Sequence, residues 1–500
     1  MRRLPLAAAL CALALVLAGC QAPGSPSTSD GATQRTATGT PTPETFVLDV
    51  ETETAATATE AKNGTAPESD DPRPDPETDR LGWEAGYWAN ESLAVTTDDG
   101  LNETERAAVV ARTMARVETI RDLEFEESVP VRVVSRAAYR NRSGGSADET
   151  LGRFDNAKFE ALFLVGEDRD AIAAQDRQFG ASVLGYYSPS ASAIVLVTET
   201  ETPRLSERTL AHELVHALQD QHVDLASDAR TRDAVQGRNG LLEGDATTVG
   251  ARYAERCGGP WDCLERPARG GGGARHFGLN VLEYFPYSDG PGLVATLRER
   301  GGWAAVNDAY DDVPDSAAEV IDPSKYPAWR AESVDLADRS SGEWTRVRPD
   351  GRPDYAVVGP SAITASLAYT LTDDYNESAV VRRADVVNYE NGAVDRTDPY
   401  NYDLPATRGW RGGRMHVYAS GAETAYVWKT VWTTESEART FAAAWERVVG
   451  HWGGEATADG VWVVEEASPF ADAVSIRVDG RTVTVVNAPT EDELEEVHDA

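Results

Sequence analysis

The chain has 500 residues, 41% of them hydrophobic and 26% charged, enough for two or three domains with buried cores. Its 83 acidic residues outnumber 47 basic ones, giving a formal net charge of −36, and a surface of that sign repels the phosphate backbone and excludes nucleic acid as a partner. The acids are spread rather than gathered in a tail, and only Lys62, Lys158, Lys325 and Lys429 are lysines; this is the composition of a carboxylate-covered protein that stays soluble in concentrated salt.

At the N-terminus Arg2 and Arg3 precede an apolar run from Leu4 to Val16, which ends in Leu17-Ala18-Gly19-Cys20 and then turns polar. The run is short for a membrane span and predicts a signal peptide over residues 1–19. Its ending resembles a lipobox, in which Cys20 is lipidated and anchors the mature chain at the outer face of the cell membrane. Residues 20–80, rich in Thr, Ser, Pro and acids and nearly free of aromatics, read as a disordered tether. N-x-S/T sequons at Asn63, Asn90, Asn102, Asn141 and Asn376 suit an exported glycoprotein. Cys11 leaves with the signal peptide; Cys257 and Cys263 then remain as a pair, and a short disulfide loop is expected.

Order begins near Leu81. Val109, Met114, Val117 and Ile120 recur at helical intervals within 103–123. Val129 to Ser135 reads as a strand, and Phe159 to Arg177 as one helix. Two β-prone runs, Val183 to Tyr187 and Ala193 to Thr198, flank a Ser-Pro-Ser turn and predict a hairpin. A helix follows in "TLAHELVHALQDQH", started by Pro203 or Ser206. After Asn239-Gly240, read as a turn, "LLEGDATTVGARY" predicts another helix. Beyond Arg346 a helix at 360–371, strands at 415–418 and 425–432, a helix at 436–449 with a Thr434/Glu437 capping box, and three further strands describe a small α+β domain.

The chemistry sits in His212-Glu213-x-x-His216. Residues four apart share a helix face, so His212 and His216 can offer two imidazoles to one metal, with Glu213 beside them as general base on a metal-bound water. Leu210, Leu214, Ala217 and Leu218 form the opposing apolar arc. Two residues compete for the third ligand position. His222 has the spacing used by metzincins, but Gln219 stands where that arrangement needs a glycine to turn the chain. Glu243, on the next predicted helix, is favoured. Tyr186, Tyr187, Tyr253 and His276 are the candidate oxyanion-stabilising or substrate-contacting residues.

"GYYSPSASAIVLV", "TLAHELVHALQDQH", "LLEGDATTV" and "PDSAAEVIDPSKY" together resemble a family of exported HExxH proteins that includes haloarchaeal surface lipoproteins and bacterial neutral-zinc-metallopeptidase-like proteins. The resemblance covers about 81–326 and extends more weakly through "GWRGGRMHVYASG" and "YVWKTVW". It implies an α+β, gluzincin-like zinc domain over 81–345, followed by a smaller α+β domain over 346–500. It also implies zinc held by His212, His216 and Glu243, with Glu213 catalytic. Relatives tend to carry His-Pro before the Lys-Tyr; Asp322-Pro323 stands there instead. Two functions are compatible with this reading: a membrane-anchored zinc metallopeptidase acting on a peptide or protein, or a zinc-stabilised, non-catalytic surface lipoprotein with an envelope or adhesion role. The second needs a fourth protein ligand closing the site, for which His222 is the candidate.

Overall fold

The computed structural model describes residues 79–499 apart from 144–147, 181–182, 184, 201, 224, 226–228, 265–275, 374 and 376–377. The signal peptide, Cys20, Asn63 and the tether up to residue 78 lie outside the described residues. Among the described residues no helix is long and apolar enough to cross a membrane.

The first domain is built on helices. α1 (Glu103–Arg121) starts at a capping box, in which Asn102 Oδ1 accepts the Glu105 N–H and the Glu105 carboxylate accepts the Asn102 N–H. α2 (Glu149–Ala161) and α3 (Ala171–Gly180) follow β1 (Val131–Val134). The single helix expected from 159 to 177 is therefore broken at 162–170. Leu162 to Val165 are buried there, and Phe163 takes a left-handed φ of 53°, which a continuing helix does not allow. β2 (Gly185–Ser188) and β3 (Ala193–Val197) form the predicted hairpin, and β3 also pairs in parallel with β1. All five residues of β3, Ala-Ile-Val-Leu-Val, are buried, as befits a central strand.

α4 (Glu207–His222), with Ser206 at its N-cap position, carries the histidine motif. α5 (Arg232–Arg256) runs without interruption through Asn239-Gly240, so the expected turn is absent. Its glycines serve close packing instead. A Cβ on Gly240 would lie 2.6 Å from Val320 Cγ2, and one on Gly244 2.4 Å from the Gly290 backbone. α6 (Phe277–Ser288) and α7 (Gly290–Asp308, broken at Gly301-Gly302) pack on α5.

The second domain is a seven-stranded antiparallel sheet. In chain order its strands are β4 (Thr345–Arg346), β5 (Trp410–Ser420), β6 (Glu423–Trp432), β7 (Gly454–Ala456), β8 (Val461–Val464), β9 (Ala473–Asp479) and β10 (Thr482–Ala488), arranged 7-8-9-10-6-5-4. α8 (Gly359–Tyr369) precedes the long strands and packs on α5 and α6 of the first domain. α9 (Glu435–His451) has the expected Thr434/Glu437 capping box and lays Phe441 and Trp445 against Trp428 and Trp432. One hydrophobic cluster runs from Phe154 through Leu241, Leu282 and Ile363 to Trp445 and Val485. The division near 345 is thus a change of architecture within a shared core.

The first described residues, 79–91, are strapped to α1 by a pair of carboxyl groups. Glu118 accepts the Gly82 and Phe125 N–H groups at 2.7 and 2.9 Å, and Glu84 donates to it. Burial, then the Glu118 charge, pushes Glu84 up to about 9 from an ordinary 4.5. The folded chain therefore holds this proton more tightly than the unfolded chain, so the associated stability is full in acid and is lost as pH rises from about 4.5 towards 9. The melting temperature of Glu84→Gln relative to the parent should accordingly climb between pH 5 and 9; a constant difference in a thermal-shift series would contradict the shared proton.

Candidate metal centre

α4 and α5 lie antiparallel. Gln219 reaches the Leu242 carbonyl near one end of the contact, while the Cβ position of Gly250 lies 3.6 Å from His212 Cβ at the other. Leu210, Leu214, Ala217 and Leu218 sink into a core with Val109, Met114 and Val249. His212 and His216, one turn apart, are left facing Glu243 on α5. Their Nε2 atoms are 3.3 Å from each other and 3.3 and 3.4 Å from the same Glu243 Oε2. All three side chains are buried, and their ligand atoms lie within 4.8 Å of one another. His222 is elsewhere: its Nε2 is 2.6 Å from the Glu124 carbonyl oxygen, near the C-terminal end of α4.

The surrounding hydrogen bonds orient this set. Gln219 Nε2 donates to the Leu242 carbonyl at 3.0 Å and to Tyr310 Oη at 2.8 Å, so Oε1 is its remaining acceptor and takes the His216 Nδ1 proton at 2.8 Å. That tautomer leaves Nε2 free to bind a metal. The chain continues from Tyr310, which donates to Asp245 at 2.8 Å, to Arg121, whose Nε lies 3.1 Å from both Asp245 oxygens. Gln219 was legible only as a residue that could not turn the chain; its side chain is the group that aims His216.

A second network fixes the start of α4. Glu207, buried in its first turn, binds Arg112 at 2.5 Å and Arg116 at 3.1 Å and accepts the Tyr253 hydroxyl at 2.7 Å. Cys257 and Cys263 are joined as a disulfide. The loop they close presents the Asp262 carbonyl to Arg116 at 2.9 Å and places the Trp261 ring beneath its guanidinium.

Glu213 points at the same centre from the next position on α4. Its Oε2 accepts the Tyr187 N–H of β2 at 2.9 Å. Its Oε1, like Glu243 Oε2, is buried and takes no hydrogen bond among the described residues. Burial raises the Glu213 carboxyl above its usual range against the pull of His212 and His216. Burial would lower His216, but the Glu243 charge prevails and raises it to about 9; Glu243 is carried down to about 2 by the two histidines despite its own burial. Two imidazoles and a carboxylate held this way, with two buried carboxylate oxygens lacking donors, match the donor set of a divalent transition metal. Bringing a cation to them also satisfies charges that otherwise lean on one another.

One tyrosine whose ring packs on this cluster is absent from the sequence-based candidates. Tyr287, in the last turn of α6, stacks on His212 with ring centroids 6.0 Å apart and lies within the field of the Glu243 carboxylate. Burial, then the Glu243 and Glu213 charges, raises its hydroxyl well above the usual range, so it remains a neutral donor. Nothing in its spacing marks it, since it lies on a third helix and reaches the site only through the α5–α6 contact. The four residues proposed for this role are committed elsewhere. Tyr253 donates to Glu207; Tyr187 donates its hydroxyl to Asp220 at 2.6 Å and contributes only its backbone N–H to Glu213. Tyr186 packs on Tyr139, and His276 caps α6 by accepting the Leu279 N–H, its ring against Tyr369.

Residues 345–498 match the family described as a domain of unknown function (DUF8575). That stretch is the second domain and leaves out the histidine motif. No curated protein and no solved structure matches the chain.

Metal content separates the two candidate ligands. Glu243→Ala should lose the bound transition metal while His222→Ala keeps about one per chain. Gln219→Ala should weaken the affinity by about 10–100-fold, the usual effect of removing the group that orients a ligating histidine. Full metal retention in purified Glu243→Ala would rule out this ligand set.

Proposed function

We propose that the chain is an exported zinc metallopeptidase-like hydrolase of gluzincin type, anchored through Cys20 at the outer face of the cell membrane, with a peptide or protein substrate. The observation that carries this reading is the convergence of His212, His216 and Glu243, with the unpaired oxygen of Glu213 beside them. Zinc bound by His212, His216 and Glu243 would supply Lewis acidity to a water and to the scissile carbonyl.

The chain's own groups divide the remaining work. Glu213, steadied through one oxygen by the Tyr187 N–H, takes the proton of the attacking water on the other oxygen and delivers it to the departing amine. Its raised proton affinity suits both halves of that transfer. Tyr287 keeps its proton and lies against His212 and Glu243, where its hydroxyl can donate to the oxyanion as charge develops. β2, fixed by the Tyr187–Glu213 bond, forms the neighbouring edge along which an extended substrate chain can lie. The non-catalytic reading requires closure by a fourth protein ligand, and the residue available for it, His222, is engaged with the Glu124 carbonyl instead.

Glu213→Gln should retain metal and lose cleavage of a peptide library by about 100-fold or more. Parent-like turnover in that variant would defeat the mechanism. Tyr287→Phe should lower kcat by about 100-fold with little change in KM; an unaltered kcat would remove Tyr287 from the reaction while leaving the role of Glu213 intact.

A further inference from the structure

A second group of oxygen donors lies where the two domains meet, away from the histidine motif. Glu160, in the last turn of α2, and Glu167, in the loop after it, come from the first domain; Asp472, just before β9, comes from the second. One carboxylate oxygen from each lies within 4.8 Å of the others. Glu160 and Asp472 are buried and Glu167 is exposed. No described Lys, Arg or His forms an ion pair with any of the three. Three carboxylates so close, two of them shielded from water, need either a shared proton, as between Glu84 and Glu118, or a metal cation to join them.

Asn487 provides an independent observation. It is 2% exposed, on β10, and its Nδ2 donates to Asp472 Oδ2 at 2.7 Å. That bond holds the carboxamide against the cluster, yet its Oδ1 is buried with no partner among the described residues. A buried amide oxygen without a donor is rare in a folded chain. Turning the amide over would only exchange it for an unpaired N–H. A cation between the carboxylates accounts for both ends: Nδ2 bonded to Asp472, Oδ1 free to ligate.

The backbone is tightly docked at this place. The Glu167 N–H donates to the Pro469 carbonyl at 3.0 Å, and a Cβ on Gly166 would lie 2.5 Å from the Pro469 side chain. Phe163, between the two glutamates, packs on Trp445 and Phe470 of the second domain. The donors are therefore held from both sides of the junction by packing rather than by a single flexible loop.

We propose that Glu160, Glu167, Asp472 and the Asn487 amide oxygen form a calcium site that staples the second domain to the first. The donor set is all oxygen, with no imidazole or thiolate to favour zinc. It is assembled from two domains in an irregular arrangement, which suits calcium's flexible coordination better than the strict octahedron of magnesium. The exposed side of Glu167 leaves room for water to complete the shell. This inference stands independently of the proposed peptidase activity.

The test uses the full mature chain, stripped of metals and reloaded with one equivalent of zinc. Calorimetric titration with calcium chloride should show one site per chain, at the sub-millimolar to millimolar affinity common in extracellular modules. Saturating calcium should raise the melting temperature by several degrees, with magnesium at equal concentration and sodium at equal ionic strength giving much less. Hydrogen exchange should slow at 166–170 and 468–472. Glu167→Gln, an exposed substitution that leaves the core untouched, should weaken calcium binding by 10-fold or more, and Asp472→Asn should abolish it. Equal effects of calcium and magnesium, or parent-like calcium binding by a folded Glu167→Gln, would overturn the proposal.

Discussion

The site depends on how closely α4 and α5 approach. A histidine ring and a glutamate side chain on facing helices meet at a common point only when the two helices pack directly on one another. α5 achieves this by presenting glycine along its length. Gly250 admits the Arg208 carbonyl and His212 Cβ, with its Cβ position 3.3 and 3.6 Å from them, while Gly240 and Gly244 let the opposite side of the helix press on Val320 and Gly290. Glycine in a helix interior costs about 1 kcal/mol relative to alanine. At Gly240 and Gly244 the cost is offset by contacts that a Cβ would block, and these seat the far side of α5 while Glu243 faces the two Nε2 atoms.

Helix contact alone leaves rotation and sliding free, and buried charge removes both. Glu207 ties the first turn of α4 to Arg112 and Arg116 of α1, while Asp245 ties α5 to Arg121 of the same helix. Breaking a buried pair by deleting one partner leaves an uncompensated charge, at a cost of roughly 3–5 kcal/mol. α1 thus acts as a common reference for both helices that carry the His212, His216 and Glu243 cluster. Through Asp245, Tyr310 and Gln219 that reference extends to the Nδ1 of His216. At the domain junction Glu160, Glu167 and Asp472 gather without a basic partner among the described residues, and the calcium ion we propose there would take the part that the arginines take here.

Much of this architecture was legible because it is written in local patterns. Four-residue spacing put His212 and His216 on one face, and period-two runs marked the hairpin and the C-terminal strands. The Thr434/Glu437 capping box marked the start of α9. The misreadings are equally local. Asn239-Gly240 carries a turn signature, yet the glycine is there for a neighbour, Val320, that sequence spacing does not reveal. The run 159–177 has helical composition, but Leu162 to Val165 break out of it to reach a core completed by the second domain.

By itself the sequence determined that His212 and His216 share a helix face with Glu213 beside them, and it favoured Glu243 over His222 as their partner, because helical periodicity and the absence of a turning glycine at Gln219 are properties of consecutive residues. Only the tertiary structure decided that Glu243 meets both imidazoles, that Gln219 sets the tautomer of His216, and that Tyr287 rather than Tyr186, Tyr187, Tyr253 or His276 stacks on His212. Those choices depend on distances between helices brought together by glycine contacts and buried ion pairs. Residues far apart in the chain carry no mutual signal until packing makes them neighbours.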